Sequence, residues 1–317
     1  MKREVEPRLY RMGVAAIRGV FLYGSLAFVA YVAVYNVRSL SEGVLSLRFT
    51  FVIIVLGIIH ALLLVLIALA WGSFLRAFGV AASWREIIVV YGRANLAKYI
   101  PGNVFEFAGR QVMGNDRRWS NFAVISSTIS EIVIIVLAAA IVTLMLLVIA
   151  PVGNIPAAGA ITLIAALVVT TVLVAALFFR FAGRYLPFSN LIGRTTAILD
   201  SPALPIALLL YLLFFCALGE MTVAMLYGIT GRWVWSVSGP FTVAYTAAWF
   251  IGYITPGAPG GLGVREAALV VLLGPSLGEA TALSVAAGLR CLTILGDLLL
   301  FAACHYRTSP CWNPWRL

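Results

Sequence analysis

The sequence predicts an all-α polytopic integral membrane protein, with a single transmembrane domain over residues 1–317. Two observations support this fold class. Hydrophobic residues make up 62% of the chain and charged residues only 11%, whereas soluble domains carry about 45–50% apolar and about 25% charged residues. A polar pattern containing Pro-Gly also occurs once in each half of this apolar chain. Together they indicate a bilayer protein with an internal repeat.

Six segments are long and apolar enough to cross a bilayer, which takes about 20 mostly apolar residues in a helix. The first follows a cluster of basic residues, as the apolar part of a signal peptide would, but it is long and lacks a convincing cleavage site. We therefore predict that it is a retained span. The predicted spans are residues 19–36, 49–71, 122–150, 157–179, 202–229 and 279–306.

Two regions containing Pro-Gly separate the second span from the third and the fifth from the sixth. Pro101 and Pro256 are 155 positions apart (256 minus 101), and so are Arg110 and Arg265 (265 minus 110). Two short helices joined by Pro-Gly predict a re-entrant hairpin, which requires protein or water to satisfy the broken backbone. The alternative is two short full spans in each region. The short apolar runs are residues 87–100, 104–113, 241–254 and 262–273.

Each half then contains about three spans and one hairpin. Because three crossings is an odd number, the second half is predicted to be inverted relative to the first, so that the two hairpins enter from opposite faces. Inverted repeats with broken helices near the midplane are a recurring architecture of transporters. The predicted repeats are residues 19–150 and 157–306.

The basic residues predict orientation and location. The net charge is +10, but the positive residues lie between apolar segments rather than in one patch, so no nucleic-acid partner is expected. Positive charge concentrates in cytoplasmic loops of membrane proteins. Applied to this chain, the rule predicts a multi-pass protein of the cytoplasmic (inner) membrane with both termini in the cytoplasm.

The arginines of the two Pro-Gly regions are the main candidates for binding an anionic headgroup. A guanidinium group offers a planar fork of donors that suits phosphate oxygens, helix N-termini add backbone N–H groups, and glycines let the backbone approach a ligand. The alternative is that Arg110 and Arg265 pair with Glu131, Glu220 or Asp297 and hold the bundle together. The predicted substrate-binding residues are Lys98, Gly102, Asn103, Arg110, Gly257, Gly260, Gly261, Gly263 and Arg265.

Other charges in apolar segments are candidates for coupling or gating. Each costs about 2.5–3.5 kcal/mol on insertion scales, so such residues normally have a partner or a function. Arg290 and Asp297 are seven positions apart, which puts them on one helical face. A proton relay through Glu131 and Glu220 is one hypothesis, and ion pairing with arginine is the favoured one. The predicted coupling residues are Glu106, Glu131, Glu220, Glu266, Arg290 and Asp297.

No metal or cofactor is expected. The chain has two histidines and four cysteines without the spacing of a metal site. The glycines at 260, 261 and 263 follow no predicted strand, so a nucleotide-binding loop is disfavoured. Transport would therefore be passive or coupled to protons or to the membrane potential.

The paired motifs resemble those of the lysylphosphatidylglycerol synthetase transmembrane-region family, which includes the flippase domain of the multiple-peptide-resistance factor. The likeness spans residues 19–306 and implies a lipid flippase. Family members are associated with aminoacylated phospholipids, hopanoids or polyprenyl-linked sugars. The chain lacks the soluble catalytic domain of the synthetases, which favours a translocator. The matching positions are Pro101, Gly102, Gly109, Arg110, Pro256, Gly257, Gly260, Gly261, Gly263, Arg265 and Glu266.

The residues and the resemblance together predict a flippase-like transporter rather than an enzyme. Its substrate would be an anionic lipid, either a polyprenyl-phosphate-linked sugar or a modified phospholipid, with a lipid-modifying enzyme as a further partner. The alternatives are a membrane-embedded transferase or its accessory subunit acting on a lipid phosphate, and a carrier of small ions or sugar phosphates.

Overall fold

A computed structural model of the protein describes residues 46–100, 105–149, 201–255 and 258–306. These residues are almost entirely helical, which confirms the all-α class. The predicted spans 19–36 and 157–179 lie outside the described residues. So do the predicted site residues Gly102, Asn103 and Gly257.

Eight α-helices form the described part of the chain. They are α1 (Leu47–Ala77), α2 (Trp84–Asn95), α3 (Phe105–Asp116), α4 (Asn121–Ile149), α5 (Ala203–Thr230), α6 (Ser238–Ile254), α7 (Val264–Leu277) and α8 (Glu279–Tyr306). Short 3-10 turns occur at Leu96–Tyr99, Trp235–Val237 and Pro259–Gly261.

Five helical segments are long and apolar enough to cross a membrane, which confirms the membrane character. Four of them correspond to the predicted spans 49–71, 122–150, 202–229 and 279–306. The fifth is Pro259–Leu277, with 19 residues. It is longer than the apolar run 262–273 that the sequence predicted, because the 3-10 turn precedes α7 and the helix continues through Pro275 to Leu277.

Local sequence explains where several helices begin and end. Ser46 accepts a hydrogen bond from the backbone N–H of Phe49 and caps α1. Ser83 and Glu86 form a reciprocal capping box at the start of α2, which satisfies two N–H groups that would lack helical partners. At the other end of a span, Gly231 has φ 74° and terminates α5 in the left-handed conformation that glycine adopts without steric cost.

The long helices pack into one bundle in which α1 contacts α5 and α8, and α6 contacts α4, α5 and α7. Small residues allow the closest approaches: Gly57 of α1 faces Leu295 of α8, and Gly219 of α5 faces Thr242 of α6. Large apolar side chains on the outer face of α1 are exposed, as expected for a helix that faces lipid.

The two Pro-Gly regions lie against each other inside this bundle. The first region comprises α2, the turn Leu96–Tyr99 and α3, and the second comprises α6, the turn Pro259–Gly261 and α7. The two turns are in contact. A Cβ atom added to Gly260 would lie 3.4 Å from Cε1 of Tyr99. The described turns of the two regions therefore meet at Tyr99 and Gly260.

Candidate functional site

A cavity of about 350 Å³ lies between the two Pro-Gly regions and is also bordered by α1, α4, α5 and α8. Aromatic and apolar side chains make up most of its wall. The charged residues at its wall comprise four cations and three carboxylates: Lys98, Arg110, Arg265 and Arg290, with Glu106, Glu131 and Asp297. Gly260 and Gly261 also border it, so the structure brings together nine of the predicted site residues.

Arg110 contacts one carboxylate and three aromatic rings, while its Nε atom is buried without a hydrogen-bond partner among the described residues. Its Nη1 atom donates to Oε2 of the buried Glu131, and the hydroxyl of Tyr91 donates to the other carboxylate oxygen at 3.1 Å. The guanidinium carbon lies 4.1 Å from the ring centre of Tyr91, 5.3 Å from Trp71 and 5.5 Å from Phe107. Of the two interpretations of Arg110, ion pairing within the bundle is the one this geometry supports.

Asp297 ties the first Pro-Gly region to α8. Its fully buried carboxylate accepts hydrogen bonds from Asn95 Nδ2 at 2.7 Å, Lys98 Nζ at 2.9 Å and the hydroxyl of Tyr99. Lys98 also forms an ion pair with the second carboxylate oxygen at 2.8 Å. Lys98, predicted to bind substrate, is thus engaged with a carboxylate. These contacts fix the end of α2 and the 3-10 turn against α8.

Arg290 ties the second Pro-Gly region to the same helix, two turns before Asp297. Its Nη1 atom donates to the carbonyl oxygen of Gly260 at 2.9 Å and lies 3.6 Å from Oε1 of Glu266. Glu266 accepts the backbone N–H of Gly263 at 2.6 Å and caps α7. The Nε and Nη2 atoms of Arg290 are buried and have no hydrogen-bond partner among the described residues.

Arg265 differs from the other cations at the cavity. Its guanidinium carbon lies 4.4 Å above the ring of Tyr245. In the described parts of the chain it has no hydrogen-bond or ion-pair partner. Gly252 allows the close approach of α6, since a Cβ there would lie 3.1 Å from Cβ of Arg265. The side chain is half-buried and lines the cavity, so its N–H groups are accessible to a ligand there.

Glu106 is the carboxylate counterpart of this free arginine. It lies in the first turn of α3 and lines the cavity. Within residues 46–100, 105–149, 201–255 and 258–306 it has no hydrogen bond and no ion pair. Its nearest cations by electrostatic influence are Arg110 and Lys98, both of which are committed to other carboxylates.

Glu220 does not join the other predicted coupling residues. It is exposed on α5, while its neighbours Gly219 and Met221 are buried. The hydroxyl of Ser238 donates to Glu220 Oε2 at 3.3 Å, at the N-terminus of α6. A carboxylate is favourable there because it complements the positive end of the helix dipole.

Sequence reasoning missed several polar residues of the site. His60 lines the cavity from the middle of α1, and its Nδ1 atom is buried without a hydrogen-bond partner in the described part of the chain. Tyr91, Tyr99 and Tyr245 supply the rings beneath the arginines. A histidine inside an apolar span is itself a signal for a functional position. The tyrosines gave no such signal, because tyrosine is common at membrane helix ends.

No metal centre is found among the described residues, where no three histidine, cysteine or acidic side chains are grouped to hold an ion. Models of known protein families give no match to this chain. Comparison with curated proteins likewise gives no match. The family resemblance of the two motifs therefore stays a prediction.

Proposed function

We propose that this protein is a flippase-like transporter that moves a phosphate-bearing lipid across the cytoplasmic membrane. The observation that carries the proposal is the free guanidinium group of Arg265, which faces a cavity between two Pro-Gly-broken regions. A guanidinium group that faces a cavity without a protein partner can bind a phosphate oxygen through its planar fork of donors. Arg290, with two unpartnered N–H positions, supplies the second set of donors.

Arg110 has a structural role in this proposal. It is matched by Glu131 and surrounded by three aromatic rings, so binding phosphate would require it to break a buried ion pair. Arg265 has no such pair to break. The phosphate site is therefore assigned to the second Pro-Gly region, with Arg290 of α8 beside it.

The cavity suits a headgroup rather than a whole lipid. A volume of about 350 Å³ lies at the small end of ligand sites. Acyl or prenyl chains would remain in the bilayer, which spares the cost of moving apolar surface through a polar path. Recognition would then depend on the headgroup and not on the length of the lipid chains.

Helix lengths support a re-entrant hairpin in the first Pro-Gly region. The helices α2 and α3 have 12 residues each, which corresponds to roughly 18 Å, whereas the hydrocarbon core is about 30 Å thick. Two such helices joined at Pro-Gly would enter and leave by the same face. In the second region, α6 has 17 residues and Pro259–Leu277 is long and apolar enough to cross a membrane, so the hairpin there is proposed from the matching Pro-Gly motif alone. Inverted repeats with the termini in the cytoplasm complete the proposal.

Translocation in proteoliposomes tests the function. Purified protein would be reconstituted with tail-labelled fluorescent phosphatidylglycerol or polyprenyl phosphate, and the inward or outward movement measured by quenching from outside. We expect Arg265→Ala to reduce the rate about tenfold or more, as for loss of one charge-assisted contact. Arg265→Lys, which keeps the charge but loses the fork, should retain part of the activity.

The matched control is Arg232→Ala, since Arg232 is exposed after the end of α5 and does not line the cavity. It should leave the rate unchanged. Wild-type transport by a folded Arg265→Ala variant would remove this arginine from the mechanism. Failure of the folded wild-type protein to move any phosphate lipid would refute transport and favour a transferase-associated role.

A further inference from the structure

Two unpaired charges of opposite sign face the same cavity. Arg265 reaches it from the start of α7, and Glu106 reaches it from the first turn of α3. Neither has a hydrogen bond or ion pair with the described residues, and they are not paired with each other. The first and second Pro-Gly regions thus each contribute one free charge.

The remaining charged groups at the cavity each lie in an ion pair with a protein group. Arg110 pairs with Glu131, and Lys98 pairs with Asp297. Arg290 lies at the cavity wall, donates to the carbonyl oxygen of Gly260 and pairs with Glu266 at 3.6 Å, while its Nε and Nη2 atoms keep no described hydrogen-bond partner. Among the charged groups of the cavity wall, Arg265 and Glu106 are thus the two without an ion pair to the described residues.

The position of Glu106 in the first turn of α3 does not supply hydrogen-bond donors to its carboxylate. A carboxylate in the first turn interacts favourably with the helix dipole, but that interaction leaves its oxygens without donors. Arg110 and Lys98 are the cations with electrostatic influence on Glu106, and both form ion pairs with other carboxylates. The carboxylate oxygens are therefore available to a donor inside the cavity.

From this geometry we infer that the ligand is a zwitterionic lipid headgroup with one phosphate and one primary ammonium group, the chemistry of phosphoethanolamine. The inference rests on the proposed function. Arg265 would hold the phosphate and Glu106 would accept N–H bonds from the ammonium group. A quaternary ammonium group carries the same charge but has no N–H donor, so it would be a poorer ligand. A purely anionic headgroup would leave Glu106 unpaired.

This assignment chooses among the substrates that the sequence allowed. A polyprenyl-phosphate-linked neutral sugar has no cation for Glu106. A headgroup with two amines and one phosphate carries two cations, but Glu106 is the one carboxylate at the cavity wall without an ion pair to the described residues. The second amine would therefore have no carboxylate partner. The balance of one positive and one negative free group favours a headgroup of zero net charge.

The test compares tail-labelled phospholipids with identical acyl chains in proteoliposomes of the full chain. The four lipids are phosphatidylethanolamine, phosphatidylcholine, N-acetylated phosphatidylethanolamine and phosphatidylglycerol. We expect the wild-type protein to move phosphatidylethanolamine about tenfold faster than the other three. Glu106→Gln should abolish the preference, so that phosphatidylethanolamine and phosphatidylglycerol move at similar rates.

Two further variants make the result specific. Glu279→Gln changes an exposed carboxylate at the start of α8 and should preserve the preference. Glu106→Asp keeps the charge on a shorter side chain and should retain part of it. If Glu106→Gln does not fold, the lipid preference of the wild-type protein and of Glu106→Asp decides the question.

The outcomes separate this inference from the proposed function. Equal movement of all four lipids by the wild-type protein, or an unchanged preference in folded Glu106→Gln, would overturn the zwitterionic headgroup and leave lipid transport intact. Movement of polyprenyl phosphate but of none of these four lipids would also overturn the zwitterionic headgroup, and movement of neither kind of lipid would overturn lipid transport itself.

Discussion

The two Pro-Gly regions carry the same motif and use its arginine in opposite ways. In the first region Arg110 is buried, paired with Glu131 and enclosed by three rings. In the second, Arg265 lies over the single ring of Tyr245 and has no carboxylate partner among the described residues. The first arginine is thus part of the packed bundle, and the second is the one to which we assign ligand binding.

One carboxylate explains much of this difference. Glu131 is buried and forms an ion pair with Arg110, whereas no described carboxylate lies within ion-pair distance of Arg265. A guanidinium group without such a partner keeps its charge open to a ligand.

The largest expected effect separates the two arginines by stability. Arg110→Ala should lower the free energy of unfolding by about 3–5 kcal/mol, because Glu131 would remain buried without a counter-charge. Arg265→Ala should change it by less than about 1 kcal/mol, because no protein partner is left behind. Thermal unfolding in detergent measures both. Equal losses of stability in the two variants would contradict a structural role for Arg110 that Arg265 does not share.

A control for the first prediction replaces both partners together. Arg110→Met combined with Glu131→Met should recover most of the stability, since a buried ion pair and an apolar pair of similar volume are often equivalent. If the double variant is as unstable as Arg110→Ala, packing of the guanidinium group between the rings is the main contribution.

The next effect concerns Asp297, which holds the first Pro-Gly region. Asp297→Asn keeps the shape but removes the charge that Lys98 and Tyr99 contact, and should cost about 1.5–3 kcal/mol. Chemical denaturation of the detergent-solubilised protein is the measurement. Arg290→Met, which affects the second region, should cost less, because that arginine lies 3.6 Å from its carboxylate.

Motif glycines offer a third comparison of the two regions. Gly260 has φ 55° and faces the ring of Tyr99, so Gly260→Ala should cost about 1–2 kcal/mol for the left-handed conformation. Gly109 lies inside α3, where an added Cβ would meet Ala94 at an ordinary 3.5 Å. Gly109→Ala should therefore be neutral or slightly stabilising. Thermal unfolding should show a lower unfolding temperature for Gly260→Ala than for the wild-type protein, and an equal or higher one for Gly109→Ala.

The smallest effect is expected from the tyrosines beneath the arginines. Tyr91→Phe removes the hydroxyl that donates to Glu131 and should cost about 1 kcal/mol. Tyr245→Phe removes a hydroxyl with no hydrogen bond in the described part of the chain and should cost less than about 0.5 kcal/mol. Similar losses in the two variants would show that the regions are more alike than their contacts indicate.

Helix type and position could be predicted from the sequence, because apolar length and Pro-Gly breaks depend on local composition. The choice of partners could not. Glu131 and Glu220 are both carboxylates in apolar helices, yet one is buried beside Arg110 and the other is exposed beside Ser238. That choice depends on how each helix is rotated against its neighbours, and rotation is set by packing between segments distant in the chain.

The helix α8 has a mechanical consequence for the whole molecule. Asp297 of this helix accepts a hydrogen bond from the turn of the first Pro-Gly region, and Arg290 donates one to the turn of the second. Both side chains lie on one face of α8. If α8 rotated about its axis, both turns would be displaced in the same movement. Movement of one Pro-Gly region would therefore be coupled to movement of the other through α8.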